Sequence, residues 1–167
     1  MRPGDHPEFF RLPPPEGRSR ESSIVLDAEG RFFHDGAEVA HPGMARAFAS
    51  WIDRHPDDGR FILNNGYDWS YFQVVDVPFF VLGVREADGK LWLALSDGSD
   101  SPLQPETLVT GPAGALYTTV KSGKFRARFS RSAQTALAPW LSSAENGELF
   151  LEIAGSRHAL RNFSEGS

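Results

Sequence analysis

The chain has 167 residues, 22 acidic against 17 basic side chains, a formal net charge of −5 and no cysteine. Without thiols there is no disulfide framework, zinc ribbon, iron–sulfur cluster or cysteine nucleophile, and a net negative charge argues against a nucleic-acid polymer as partner. The longest apolar run, over 77–84, contains Pro78 and is well short of the ~20 residues that span a bilayer, so no membrane span is expected.

Residues 1–22 carry Pro3, Pro7 and the run Pro13-Pro14-Pro15 with charges between. Such a stretch buries too little apolar surface to offset its ordering entropy and reads as a flexible tail. It also lacks the basic start and apolar core of a secretory signal, so a cytoplasmic location is expected. Phe9-Phe10 is the exception, an aromatic pair that calls for a dock. The first half is expected over 23–95. Ser23-Ile24-Val25-Leu26 and Arg31-Phe32-Phe33-His34 flank the turn Asp27-Ala28-Glu29-Gly30. Pro42 then opens a helix in which Met44, Phe48, Trp51 and Ile52 share a face, ending near His55-Pro56. Strands follow over 60–63, 70–75, 79–85 and 91–95, and Phe79-Phe80-Val81-Leu82, with no alternation, reads as covered on both faces.

Residues 96–114, rich in Gly, Pro and Ser without periodicity, read as a linker or a binding loop. The second half is expected over 115–161, with 162–167 as a closing tail. It holds strands over 116–121 and 124–129 joined at Ser122-Gly123, and a helix from Arg131 to about Leu141 with Ala133, Ala136, Leu137 and Trp140 inward. Pro139 should distort its last turn. A final hairpin turns around Ala154-Gly155.

The order hairpin, helix ending in tryptophan plus an aliphatic residue, acidic-Gly turn and apolar strand occurs twice. Asp57-Asp58-Gly59-Arg60-Phe61-Ile62-Leu63 matches Glu145-Asn146-Gly147-Glu148-Leu149-Phe150-Leu151 in type. The expected fold class is therefore α+β, with two related β-β-α-β halves, antiparallel sheets, one helix per half and extra strands in the first. Chance likeness of two generic α+β segments is the competing explanation.

Four stretches carry a resemblance to a known family: Asp27-Ala28-Glu29-Gly30-Arg31-Phe32-Phe33-His34-Asp35-Gly36, Met44-Ala45-Arg46-Ala47-Phe48-Ala49, Val74-Val75-Asp76-Val77-Pro78-Phe79, and Val120-Lys121-Ser122-Gly123-Lys124-Phe125-Arg126-Ala127-Arg128-Phe129. In these the chain resembles an uncharacterised bacterial family, domain of unknown function 1285. The resemblance implies two related α+β halves, the second superficially like a pleckstrin homology fold, and a nucleotide-type ligand between them. The chain departs from it at Asn64-Asn65-Gly66-Tyr67-Asp68-Trp69, where relatives usually carry a Thr-Pro-Val-Glu-like stretch.

His6, His34, His41, His55 and His158 are scattered and do not form the three or four converging ligands of a zinc site, so no metal is expected. There is no Gly-x-Ser-x-Gly elbow or phosphate loop, and no cofactor or catalysis is expected. The strongest signal is the hairpin over 117–129. Period two sends Phe125, Ala127 and Phe129 inward and Lys124, Arg126 and Arg128 outward. The turn sets Lys121 opposite Lys124, Thr119 opposite Arg126 and Tyr117 opposite Arg128. Like charges across a hairpin repel, so the stripe needs an anionic partner, or else it guards an edge against aggregation. Trp69 and Tyr71 read either as a stacking surface or as packing.

The expected function is a non-enzymatic binding or regulatory module, with a role in signalling, for a small phosphorylated or nucleotide-like anion in the groove between the halves. Lys121, Lys124, Arg126 and Arg128 would neutralise it, Trp69 and Tyr71 would stack on it, and Asn65 and Asp76 would complete the site. A protein–protein adaptor meeting an acidic partner and an unrecognised hydrolase stay open as alternatives.

Overall fold

The computed structural model describes residues 2–162 and divides the chain into two units that meet in sequence at Pro78 and Phe79. The expected closing tail lies almost wholly outside the described residues. The architecture is α+β with two α-helices among the described residues, neither long nor apolar enough to cross a membrane.

In the first unit, β1 (Ile24–Leu26), β2 (Phe32–His34) and β3 (Ala37–Glu38) form a meander. Helix α1 (Pro42–Ser50) follows, capped by His41, whose Nδ1 accepts from the amides of Gly43 and Met44. It stops at Ser50, not near His55. Ile52, the last residue of the expected helical stripe, is buried as the first residue of β4 (Ile52–Arg54), opposite Leu63. An apolar residue at i+8 satisfies either geometry, and pairing with β5 (Phe61–Asn64) decides it. β6 (Trp69–Tyr71) completes a three-stranded antiparallel sheet, whereas β7 (Gln73–Val74) joins β1 in parallel. The single strand expected over 70–75 is thus split at the buried Phe72 and serves two sheets.

The segment over 2–22 packs through short 3₁₀ turns, with Phe9 buried against Ile62 and Trp69. Its prolines set extended and turn geometry, while the aromatic pair supplies the apolar anchor.

In the second unit, β8 (Phe79–Ala87) and β9 (Lys90–Leu95) form a hairpin around Asp88 and Gly89, both at positive φ as a type I′ turn requires. These strands, expected in the first half, pair with second-unit strands. Phe79, Phe80 and Val81 are buried but Leu82 is exposed. The stretch over 96–114 supplies β10 (Asp100–Pro102) against β9 and β11 (Val109–Thr110) against β12 (Leu116–Val120), and it buries Leu103 and Leu108. β13 (Phe125–Phe129) lies between β12 and β8. Helix α2 (Arg131–Leu137), capped by Ser130, ends in a 3₁₀ turn at Pro139, and β14 (Leu141–Ser143), β15 (Leu149–Ile153) and β16 (Ser156–Ala159) form a second meander before β17 (Arg161–Asn162).

The sheets are mixed, not antiparallel throughout: β1 with β7, β8 with β13 and β11 with β17 are parallel. Local hairpins account for the antiparallel pairs. The parallel pairs join strands roughly fifty residues apart, a closure that needs a long crossover and leaves no turn signal.

Candidate functional site

The residues expected to bind an anion fall into two groups, each within its own unit. In the second unit the predicted register is present: Thr119 pairs with Arg126 and Tyr117 with Arg128 across β12 and β13. Lys121, Ser122 and Gly123 all take positive φ and the Lys124 amide donates to the Lys121 carbonyl at 3.3 Å; pairing ends at Val120 with Phe125, so 121–124 form the turn and Lys121 does not face Lys124 in the ladder as expected. Ala127 and Phe129 are buried, Lys124 is exposed, and Arg126 and Arg128 are half-buried. The Arg128 guanidinium lies 5.9 Å from the centre of the Tyr117 ring.

Lys121 departs from the expected stripe. Its Nζ donates to Asp97 Oδ2 at 2.6 Å and to Ser99 Oγ at 2.8 Å, and the Ser99 hydroxyl donates to Asp97 Oδ1 at 2.6 Å. Only 8% of the Asp97 side chain is exposed, against 30% for Lys121. Burial alone would push the Asp97 carboxyl up, but the bonds from Lys121 and Ser99 hold it below the ordinary aspartate value. Lys121 is therefore a structural cation that ties the loop before β10 to the β12–β13 turn. Asp97 lies 24 positions away, out of reach of local pattern reasoning.

In the first unit Trp69 and Tyr71 lie on β6, where the chain's own N-terminal segment occupies them. Phe9 packs on Trp69, the Phe10 ring lies 6.2 Å from Trp69, and the Arg20 guanidinium lies 4.4 Å from the Trp69 ring. The Tyr71 hydroxyl donates to Asp58 Oδ2 at 2.6 Å, which raises the phenol pKa and lowers that of the carboxyl, and Arg60 covers the Tyr71 ring at 3.7 Å. Tyr71 thus packs and does not offer an open stacking face. Asn65 Oδ1 accepts from the amides of Tyr67 and Asp68, shaping the turn between β5 and β6. Asp76 is exposed in the bend after β7.

Asn65 and Trp69 do share a cavity. A cleft of about 260 Å³ in the first unit has an apolar wall from Phe48, Trp51 and Leu63 and a polar rim that includes Arg18, Asn65 and Ser70. Tyr71 and Asp76 do not line it. Arg18 is exposed at this rim, and among the described residues no carboxylate is bonded to its side chain. Arg20, another lining residue, donates from Nη1 to the Trp69 carbonyl and to Asp68, and from Nη2 to the carbonyls of Leu12 and Pro13. Its Nε–H is buried with no hydrogen-bond partner among the described residues. Sequence reasoning missed Arg18, Arg20 and Trp51: the first two sat in the presumed tail and the third in a helix core. Among the described residues no cluster of metal-ligating side chains occurs.

Two solved structures share this architecture. A DUF1285 family protein from Silicibacter pomeroyi superposes with a TM-score of 0.67 at 23% identity, over 94% of this chain and 87% of its own. One from Shewanella baltica does so with a TM-score of 0.57 at 18% identity, over 72% of this chain and 94% of its own. The chain has the fold of these DUF1285 proteins, in agreement with the resemblance in its sequence. No family model and no curated protein matches it.

Proposed function

We propose that the protein is a non-enzymatic binding or regulatory module for a small phosphorylated or nucleotide-like anion, seated in the cleft of the first unit. The observation that carries this reading is the lining of that cleft. Trp51 and Phe48 present aromatic surface to a flat ring, Asn65 and Ser70 offer hydrogen bonds at the rim, and Arg18 is an exposed cation there. The volume of about 260 Å³ is near the lower end of ligand pockets, about 300–1,000 Å³, which suits one base or sugar with its anionic group projecting past Arg18.

The same reading treats the two hairpin–helix–meander segments as copies of one unit. In support, Trp51-Ile52 and Trp140-Leu141 each lead into the first strand of a three-stranded meander whose turn holds the acidic-Gly sequence.

The test is a thermal-shift screen across nucleotides and phospho-sugars, repeated with Arg18→Glu and Trp51→Ala. A ligand at a hundred times its Kd stabilises by about 2.7 kcal/mol. Binding that both variants abolish supports the proposal. A screen with no hit, or hits untouched by either variant, refutes it. A second reading, an adaptor for an acidic protein surface, is supported by the outward row of Lys124, Arg126 and Arg128 along one strand face. It requires Arg126→Glu with Arg128→Glu to abolish partner association while leaving the nucleotide screen unchanged.

A further inference from the structure

The face of the β4–β6 sheet is built like a peptide site, and the chain's own N-terminal segment fills it. Two ring N–H groups of the first unit address two successive backbone carbonyls of that segment. Trp69 Nε1 donates to the Phe9 carbonyl at 3.3 Å and His55 Nε2 lies 3.1 Å from the Phe10 carbonyl. His55 Nδ1 accepts from the Asp57 amide at 3.1 Å, which leaves the proton on Nε2 and makes it the donor. His55 is buried beneath the segment, and the Phe10 carbonyl is the acceptor its Nε2–H meets.

Side chains add selectivity. Phe9 enters the buried cluster with Ile62 and Trp69, and Phe10 meets His55 edge-on at 5.6 Å between ring centres. Arg11 forks onto Asp57 at 2.7 and 3.2 Å. Further along, the Gly4 amide donates to the Gly66 carbonyl at 2.8 Å, an approach so close that a Cβ on Gly4 would stand 2.9 Å from that oxygen. Carbonyls read by ring donors, two aromatic side chains and a basic residue on a carboxylate make up a sequence code, whereas a segment that merely covers a core needs only apolar area.

We infer that the His55–Trp69–Asp57 face is a recognition slot for a peptide segment with two adjacent aromatic residues followed by a basic one. The chain's Phe9-Phe10-Arg11 occupies the slot in cis, and a partner chain carrying the same pattern competes for it. Tethering gives the resident an effective concentration in the millimolar range, so a partner enters when the resident is released. This slot shares Trp69 with the cleft proposed to hold the anion but does not depend on that proposal.

The test keeps the full chain and lets it fold first. A protease site is inserted between Glu16 and Gly17, where the turn is exposed and the Gly17 Cα has open space around it. The folded protein is then cut, and a fluorescent peptide of residues 3–14 is titrated in, read by anisotropy. The peptide should exchange into the cut protein and not into the uncut one. Changing its two phenylalanines to alanine should weaken it by at least about tenfold, and Arg11→Glu by about threefold. The inference is overturned if the cut protein stays folded without exchange, if release of the segment unfolds the first unit cooperatively, or if the alanine peptide binds as well as the original.

Discussion

Removing the Lys121 side chain separates a structural cation from a ligand cation. The Lys121 Nζ stands 2.6 Å from Asp97 Oδ2, a gross attraction of about 6 kcal/mol at an effective dielectric constant of 20. Desolvation takes back much of this, and removing one partner of a fully buried pair costs about 3–5 kcal/mol. With 30% of the Lys121 side chain in contact with solvent, the expected cost of Lys121→Ala at pH 7 is about 2–3 kcal/mol. The sign with pH follows from Asp97. Its carboxyl is held below the ordinary value, so in the wild type its contribution is complete above the unfolded-state pKa and is lost as pH falls through the lower, folded value. In Lys121→Ala, burial acts on the carboxyl without the ammonium, its pKa rises, and protonation removes the uncompensated charge. The gap between variant and wild type in urea denaturation should therefore narrow on acidification through the aspartate range. Asp97→Asn added to Lys121→Ala should recover part of the loss. A cost under about 0.5 kcal/mol, or a gap independent of pH, would refute the staple and return Lys121 to the candidate ligand cations.

Other expectations follow from single contacts. Tyr71→Phe should cost about 1 kcal/mol in urea denaturation through the lost bond to Asp58. In the wild type one of the three tyrosines should titrate above its ordinary value by absorbance. Because that folded-state pKa is raised, its stabilisation is complete below the unfolded value and is lost as pH climbs through the folded one. Gly111→Ala places a Cβ 2.5 Å from Tyr117 Cε2, so the ring must move; a loss of about 1–2 kcal/mol with a changed near-ultraviolet circular dichroism spectrum is expected. Phe9→Ala empties a buried site at the edge of the unit and should cost about 2–3 kcal/mol, read by the melting of the first unit.

Local chemistry was legible in the sequence and long-range closure was not. The register of Arg126 on Thr119 follows from period two plus a turn that fits Ser122-Gly123, and Pro139 ends α2 because its ring and missing N–H admit no continuation. Ile52 misled because burial at helical spacing does not specify a helix. The parallel partners of β1 and β13 left no trace, since nothing local encodes which distant edge a strand will meet. The candidate cleft was half legible: Asn65 and Trp69 stand out as an amide and an aromatic in a turn, but Arg18 and Arg20 sit among prolines whose composition points to disorder. There a few specific contacts, Phe9 under Trp69 and Arg20 on the Trp69 carbonyl, outweigh the average of the segment.

The split strand after β5 bears on vectorial synthesis. When Val74 has left the ribosome, every strand of the first unit is available and β7 can lock β1 beside it. The second unit closes at the same separation, because β8 waits for β13 and β11 waits for β17 at Arg161 and Asn162. Until β13 emerges, the edge of β8 that carries Phe79-Phe80-Val81 is unpaired. Each unit thus holds one strand edge open for about fifty residues of synthesis, and a chaperone acting on this protein would find an apolar substrate at nascent β8.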